Sequence, residues 1–114
     1  MFRLVFAAAF LTSALTTAPA SAQDPSASLA QDLSSCAGAV AAVGDLNVVT
    51  HPQNASGEWA GVLTRILQRL STEPGVEGMT GRYAASAAKD FWRERPRAER
   101  EAAANVCRDR FGGA

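Results

Sequence analysis

The two cysteines, Cys36 and Cys107, are the residues of this sequence whose chemistry is easiest to assign. They do not form a C-x-x-C motif, so their spacing excludes a thioredoxin-like redox site. An even pair of distant cysteines is typical of a structural disulfide in an oxidising compartment. We therefore predict a Cys36–Cys107 bridge. By closing a loop of roughly 70 residues, it would stabilise the fold by about 4 kcal/mol on a chain-entropy estimate.

His51 is the only histidine and so the only ordinary candidate for acid–base chemistry near neutral pH. Asp45 and Glu58 are carboxylates nearby in sequence, but their spacing matches neither a metal site nor a catalytic dyad. Ser56 lacks the preceding glycine and strand of a nucleophile elbow and is better interpreted as a helix cap. We interpret His51 as an ordinary loop histidine and predict no catalytic residue, no metal and no cofactor. An enzyme using His51 or free thiols is the third-ranked alternative.

Arginine is frequent in residues 93–101, which could suggest a nucleic-acid site. Acidic residues are interleaved with the arginines, however, and the pairs Arg95–Glu99 and Arg97–Glu101 fall at i and i+4. Such pairs are typical of a solvated helix face, and the chain balances 11 basic against 11 acidic residues. We therefore expect no nucleic-acid partner.

The adjacent aromatic residues Phe91 and Trp92 are the strongest candidates for a binding role. On a helix they point about 100° apart, so a small core can bury both only if its contact face is wide. That wide core face is one interpretation, and an exposed ring that anchors a partner is the other. Val48 and Val49 carry the same two interpretations. Trp59, Phe91 and Trp92 would line the pocket if the protein were instead a carrier of an apolar ligand.

Residues 1–22 are typical of a secretory signal peptide. Arg3 precedes an apolar run from Leu4 to Leu15, and Ala20-Ser21-Ala22 forms an A-x-A cleavage site. We expect Sec-type export to the periplasm or the extracellular space, a mature chain beginning at Gln23, and no membrane association after cleavage. The absence of a cysteine after the apolar run argues against a lipoprotein.

Residues 23–114 are enough for one domain, and their apolar periodicity predicts helices. The first helix begins at Pro25, capped by Asp24, and ends at Gly44. Residues 45–53 form an extended connection whose apolar side chains pack on the helices. The second helix runs from a cap at Asn54 or Ser56 to about residue 73. The third predicted helix covers residues 82–95, and one broad face of it carries Tyr83, Ala84, Ala87, Ala88, Phe91 and Trp92. At Pro96 this helix either kinks or gives way to a fourth helix that starts there. The last helical segment has Ala103, Cys107 and Phe111 at four-residue spacing.

These features predict an all-α fold, a small bundle of three to four helices closed by one disulfide. The combination resembles many small periplasmic proteins, including acid-activated periplasmic chaperones, but no motif is specific enough to indicate one family. The leading expectation is a non-enzymatic exported protein that binds another protein, as an inhibitor, an immunity protein or a chaperone-like factor. The alternative is a carrier of a small apolar ligand. The sequence specifies neither the partner nor the oligomeric state.

Overall fold

Four α-helices follow one another in the computed structural model, which describes residues 25–112 and the side chains of residues 29–112. They are α1 (Pro25–Gly44), α2 (Glu58–Ser71), α3 (Thr80–Arg93) and α4 (Arg97–Cys107), and a π-helical segment, Arg108–Gly112, continues directly from α4. The predicted all-α bundle is therefore confirmed. The predicted signal peptide and the Asp24 cap lie outside the described residues.

Helix α1 forms the centre of the bundle and contacts each of the other three helices. Leu33 and Val40 are fully buried along it, as predicted by the three- and four-residue spacing of Leu29, Leu33, Cys36, Val40 and Val43, and Ala37 is fully buried as well. Helix α2 contributes five apolar side chains to the same core. These residues are Val62, Leu63, Ile66, Leu67 and Leu70.

The Cys36–Cys107 disulfide joins α1 to the end of α4, with 5.3 Å between the Cα atoms. Both cysteines are buried within the core, so the prediction of a structural bridge is confirmed. The bridge connects residues 71 positions apart and thereby fixes the last helix against the first.

Helices α1 and α3 approach very closely at Gly38. A Cβ atom placed at this position would lie 2.5 Å from the Cβ of Ala88. Small residues therefore form this contact, and α3 buries only Gly81 and Ala85. Of the predicted broad face of α3, Ala88 and Trp92 contact α1, whereas Tyr83, Ala84, Ala87 and Phe91 are exposed, so the face is narrower than predicted.

The connection between α1 and α2 consists of turns, not the extended segment predicted. Asp45 and Asn54 have positive φ angles, and the peptide bond between His51 and Pro52 is cis. The Asn47 side-chain oxygen accepts hydrogen bonds from the backbone N–H groups of Val49 and Thr50. Leu46 and Val48 are buried in the core, which agrees with the expectation that this connection packs on the helices.

Two predicted helix starts differ from the observed ones. Gly57 precedes α2, and no side chain caps this helix, so the predicted cap at Asn54 or Ser56 is wrong. Pro96 lies immediately before α4, in the extended conformation (φ −55°, ψ 147°) that separates α3 from α4. In the described residues, no helix combines the length and the apolar character required to cross a membrane.

Candidate functional site

The outward side of α3 carries an unusual concentration of exposed apolar side chains. Tyr83 is 60% exposed and Phe91 is 56% exposed, and Ala84 and Ala87 between them are exposed as well. We call these four residues the α3 outer face. Eight helical residues separate the two rings by about 12 Å along the axis and about 80° around it, so both fit within one side of the helix. Met79, 39% exposed, precedes the first turn of α3.

The position of Phe91 is fixed by its neighbours on the same helix. Its ring meets that of Trp92 edge-on, with the centroids 5.2 Å apart, and the Arg95 guanidinium lies 5.7 Å from the Phe91 centroid. Trp92 is half-buried and donates a 3.2 Å hydrogen bond from its indole N–H to the Ser35 carbonyl of α1. Trp92 therefore belongs to the helix packing, whereas Phe91 extends towards solvent.

The other predicted contact residues are not brought together with Phe91. Val48 is only 2% exposed and belongs to the core, so its side chain offers no surface for a partner. Val49 is half-buried in the α1–α2 connection. Trp59 is half-buried at the start of α2, where the Arg108 guanidinium lies 5.2 Å from its ring centroid. The three main clefts of the described chain are lined by residues other than Trp59, Phe91 and Trp92.

A second feature is a cleft next to His51. It has a volume of about 270 Å³ and lies between the α1–α2 connection, the second half of α2, the α2–α3 loop with Val76 and Gly78, and the first turn of α3. Its lining combines polar residues with apolar ones. The polar ones include His51, Thr64, Gln68, Ser71 and Arg82, and the apolar ones Leu67, Leu70 and Val76.

His51 is 4% exposed, so the interpretation as an ordinary loop histidine missed its burial. The Thr64 hydroxyl donates to the Ala60 carbonyl at 3.0 Å and therefore accepts from His51 Nε2 at 2.8 Å. This arrangement assigns the proton of the neutral ring to Nε2, while Nδ1 is buried without a hydrogen-bond partner. Burial lowers the pKa of His51 below its ordinary value, and the nearby charge of Arg82 lowers this pKa further.

Arg82 fixes the connection that carries His51. Its Nη1 donates to the carbonyl oxygens of His51 at 2.6 Å, Val48 at 3.1 Å and Val49 at 3.4 Å. Lys89 fixes the start of the same connection through a 2.6 Å bond to the Leu46 carbonyl. Sequence analysis did not identify either residue, because a basic side chain that binds backbone carbonyls has no local sequence signal.

The charged segment at the start of α4 is organised as predicted. Arg95 pairs with Glu99 at 3.0 Å and Arg97 with Glu101 at 2.9 Å, and all four side chains are substantially exposed. The described residues contain no group of three or more His, Cys, Asp or Glu side chains that could hold a metal ion.

Comparison with known proteins gives no match to this chain among family models, curated proteins or solved structures. The two features described above, the α3 outer face and the His51 cleft, are therefore interpreted from their own geometry.

Proposed function

We propose that this is an exported protein that acts by binding another protein through the α3 outer face. The observation that carries the proposal is the exposure of Tyr83 and Phe91 on one side of a single helix. Large aromatic residues are costly to leave in water, and they are enriched among the residues that dominate binding energy at interfaces.

The helix is well supported as a rigid platform for such contacts. Its inner side meets α1 through Gly38 and Ala88 at a separation that leaves no space for a larger side chain. The hydrogen bonds of Arg82, Lys89 and Trp92 attach α3 to the rest of the domain at three positions along its length. The backbone positions that carry the two rings are therefore held at a fixed separation, which reduces the ordering cost of binding.

Charges of both signs lie near the face. Asp90 on α3 and Glu94 immediately after it are exposed, and the Arg95 guanidinium lies 5.7 Å from the Phe91 centroid. We therefore expect the partner to be recognised mainly by an apolar groove that receives the two rings. This is recognition of a helix in a groove, in which the anchors are spaced by whole helical turns.

The export part of the proposal rests on the predicted signal peptide at residues 1–22 and on the disulfide. A bridge that connects the first and last helices is consistent with an oxidising compartment, such as the periplasm or the extracellular space. The partner is therefore expected among proteins of the same compartment or at the cell surface.

The test compares three forms of the oxidised protein as bait against an extract of exported proteins. These are the wild type, the double variant Tyr83→Ser/Phe91→Ser, and Val106→Ser as a matched control. Val106 is 56% exposed on α4, so its substitution removes a comparable degree of exposure from a different surface. A protein retained in stoichiometric amount by the wild type and the control, but lost by the double variant, would support the proposal. Equal retention by all three forms would refute it.

A further inference from the structure

The His51 cleft contains a positive charge that the described part of the chain does not neutralise. The ion pairs of this part involve Arg95, Arg97, Arg108 and Arg110, and Arg82 is in none of them. The hydrogen bonds of Arg82 to protein atoms all come from Nη1, which is directed at backbone carbonyls. The Nη2 and Nε donors of Arg82, a half-buried residue that lines the cleft, have no hydrogen-bond partner in the described part of the chain.

The guanidinium is held in place before any ligand arrives. Three carbonyl oxygens of the α1–α2 connection accept from its Nη1, and its backbone belongs to the first turn of α3. A planar guanidinium fixed in this way presents two parallel donors to a carboxylate. Gly81, next to it, also lines the cleft, within the first turn of the helix, where backbone N–H groups have no acceptor inside the helix.

The other lining residues indicate the size and polarity of the rest of the ligand. Val76 supplies partly exposed apolar surface above an almost fully buried floor of Leu67 and Leu70, and Gln68 and Ser71 are exposed at the border of the cleft. Arg82 is the only Lys or Arg residue among the lining residues, which argues against an anion of high charge. The volume of about 270 Å³ suits a small molecule.

We propose that this cleft binds a small organic monocarboxylate, with the carboxylate on the guanidinium of Arg82 and a short apolar chain against Leu67, Leu70 and Val76. His51 forms the inner wall of the site. The site is separate from the α3 outer face, so the proposal is independent of protein binding through Tyr83 and Phe91.

Hexanoate is the probe that tests the site, in titrations of the full oxidised chain followed by calorimetry and by NMR shifts. Hexanol has the same apolar chain without the charge, and inorganic phosphate has charge without the chain. We expect saturable binding of hexanoate, and binding of hexanol and of phosphate weaker by about tenfold or more, because each lacks one of the two contacts.

Substitutions at Arg82 and Gln68 test whether hexanoate binds in this cleft. Arg82→Gln removes the guanidinium, but it also removes three hydrogen bonds to the α1–α2 connection and can unfold this region. Gln68→Glu is the safer change, because Gln68 is exposed and the substitution adds one negative charge at the border of the cleft. Asn105→Asp on α4 adds the same charge away from the site and serves as the control.

The expected result is that Gln68→Glu weakens hexanoate binding by about tenfold while Asn105→Asp leaves it within about twofold of the wild type. Absence of saturable hexanoate binding would overturn the proposal. Equal affinities of the wild type for hexanol and hexanoate would also overturn it, and so would equal affinities of Gln68→Glu and Asn105→Asp for hexanoate. Either outcome would show that Arg82 does not recognise the carboxylate in this cleft.

Discussion

Tyr83 and Phe91 lie two turns apart on one side of α3, and each side chain is more than half exposed. Where the same helix faces α1, Ala88 lies at the closest helix contact described above and Trp92 donates a hydrogen bond to the Ser35 carbonyl. The helix therefore packs through small residues and Trp92, and it leaves Tyr83 and Phe91 in solvent. This distribution supports the proposal that α3 is the binding element of the protein.

The close approach of α1 and α3 can be tested with Gly38→Ala. The added Cβ would lie 2.5 Å from the Ala88 Cβ and 2.6 Å from backbone atoms of Ala88 and Lys89, so the helices must separate. We expect a loss of about 1–3 kcal/mol in the free energy of unfolding, measured by urea denaturation. Gly61→Ala on α2 is the control. Its Cβ would meet only the end of the Arg65 side chain, at 3.8 Å, so stability should stay equal or rise by up to about 1 kcal/mol. Equal stabilities for the two variants would contradict this helix contact.

The contribution of the disulfide can be tested with Cys36→Ala, Cys107→Ala and the double variant. Each breaks the same bridge, so we expect each to lose about 4 kcal/mol from the free energy of unfolding of the oxidised protein, reduced by any strain in the native bridge. The double variant should resemble the single variants instead of adding their losses, because the bridge is lost only once. Additive losses, or a reductant that leaves the stability of the wild type unchanged, would contradict a structural role for the bridge.

The burial of His51 predicts a dependence of stability on pH. Its pKa is lowered in the folded state, mainly by burial, whereas in the unfolded chain it should be near the ordinary value of about 6.5. The unfolded chain therefore binds a proton more readily, and the free energy of unfolding should fall as the pH decreases through about 6.5 towards the folded-state pKa. Above this window the stability contributed by the neutral ring is fully present.

The measurement is urea denaturation at a series of pH values between 7.5 and 5 for the wild type and His51→Gln. Because the chain has a single histidine, this variant should lose the dependence on pH in that window, whatever its absolute stability. The same slope in both proteins, or a wild type that becomes more stable on acidification, would contradict the buried neutral state of His51.

Much of the fold follows from local patterns in the sequence. The spacing of Leu33, Cys36 and Val40 predicts the inner face of α1, and the similar spacing from Val62 to Leu70 predicts that of α2. In both helices the apolar side chains that form the pattern are also the side chains that are buried. The disulfide is predictable for a related reason, since only two cysteines are present and the predicted signal peptide suggests an oxidising compartment.

The inner face of α3 could not be predicted in this way. Its contact with α1 depends on the absence of side-chain volume at Gly38, and the residues that it buries, Gly81 and Ala85, have a weak hydropathy signal. The larger residues Tyr83 and Phe91 therefore dominated the pattern and made the predicted core face of the helix too wide. The exposure of both rings depends on where α1 lies, which is a tertiary property.

The His51 cleft was missed for a similar reason. The residues that form it come from the α1–α2 connection, the end of α2 and the start of α3, and none of these segments carries a recognisable motif. The hydrogen bond between His51 and Thr64 joins positions 13 residues apart, and those of Arg82 span more than 30 residues. Only the packed structure brings these groups together.

The most direct test of the binding role of α3 is the dissociation constant of the captured partner, measured by calorimetry for the wild type, Tyr83→Ser/Phe91→Ser and Val106→Ser. Aromatic anchors at the centre of an interface often contribute about 2 kcal/mol or more each, so the double variant should bind at least about 100-fold more weakly. Val106→Ser should bind as the wild type does, and all three proteins should unfold at similar urea concentrations, because the substituted side chains are exposed. An affinity of the folded double variant within about threefold of the wild type would show that the partner is recognised elsewhere and would contradict the proposal.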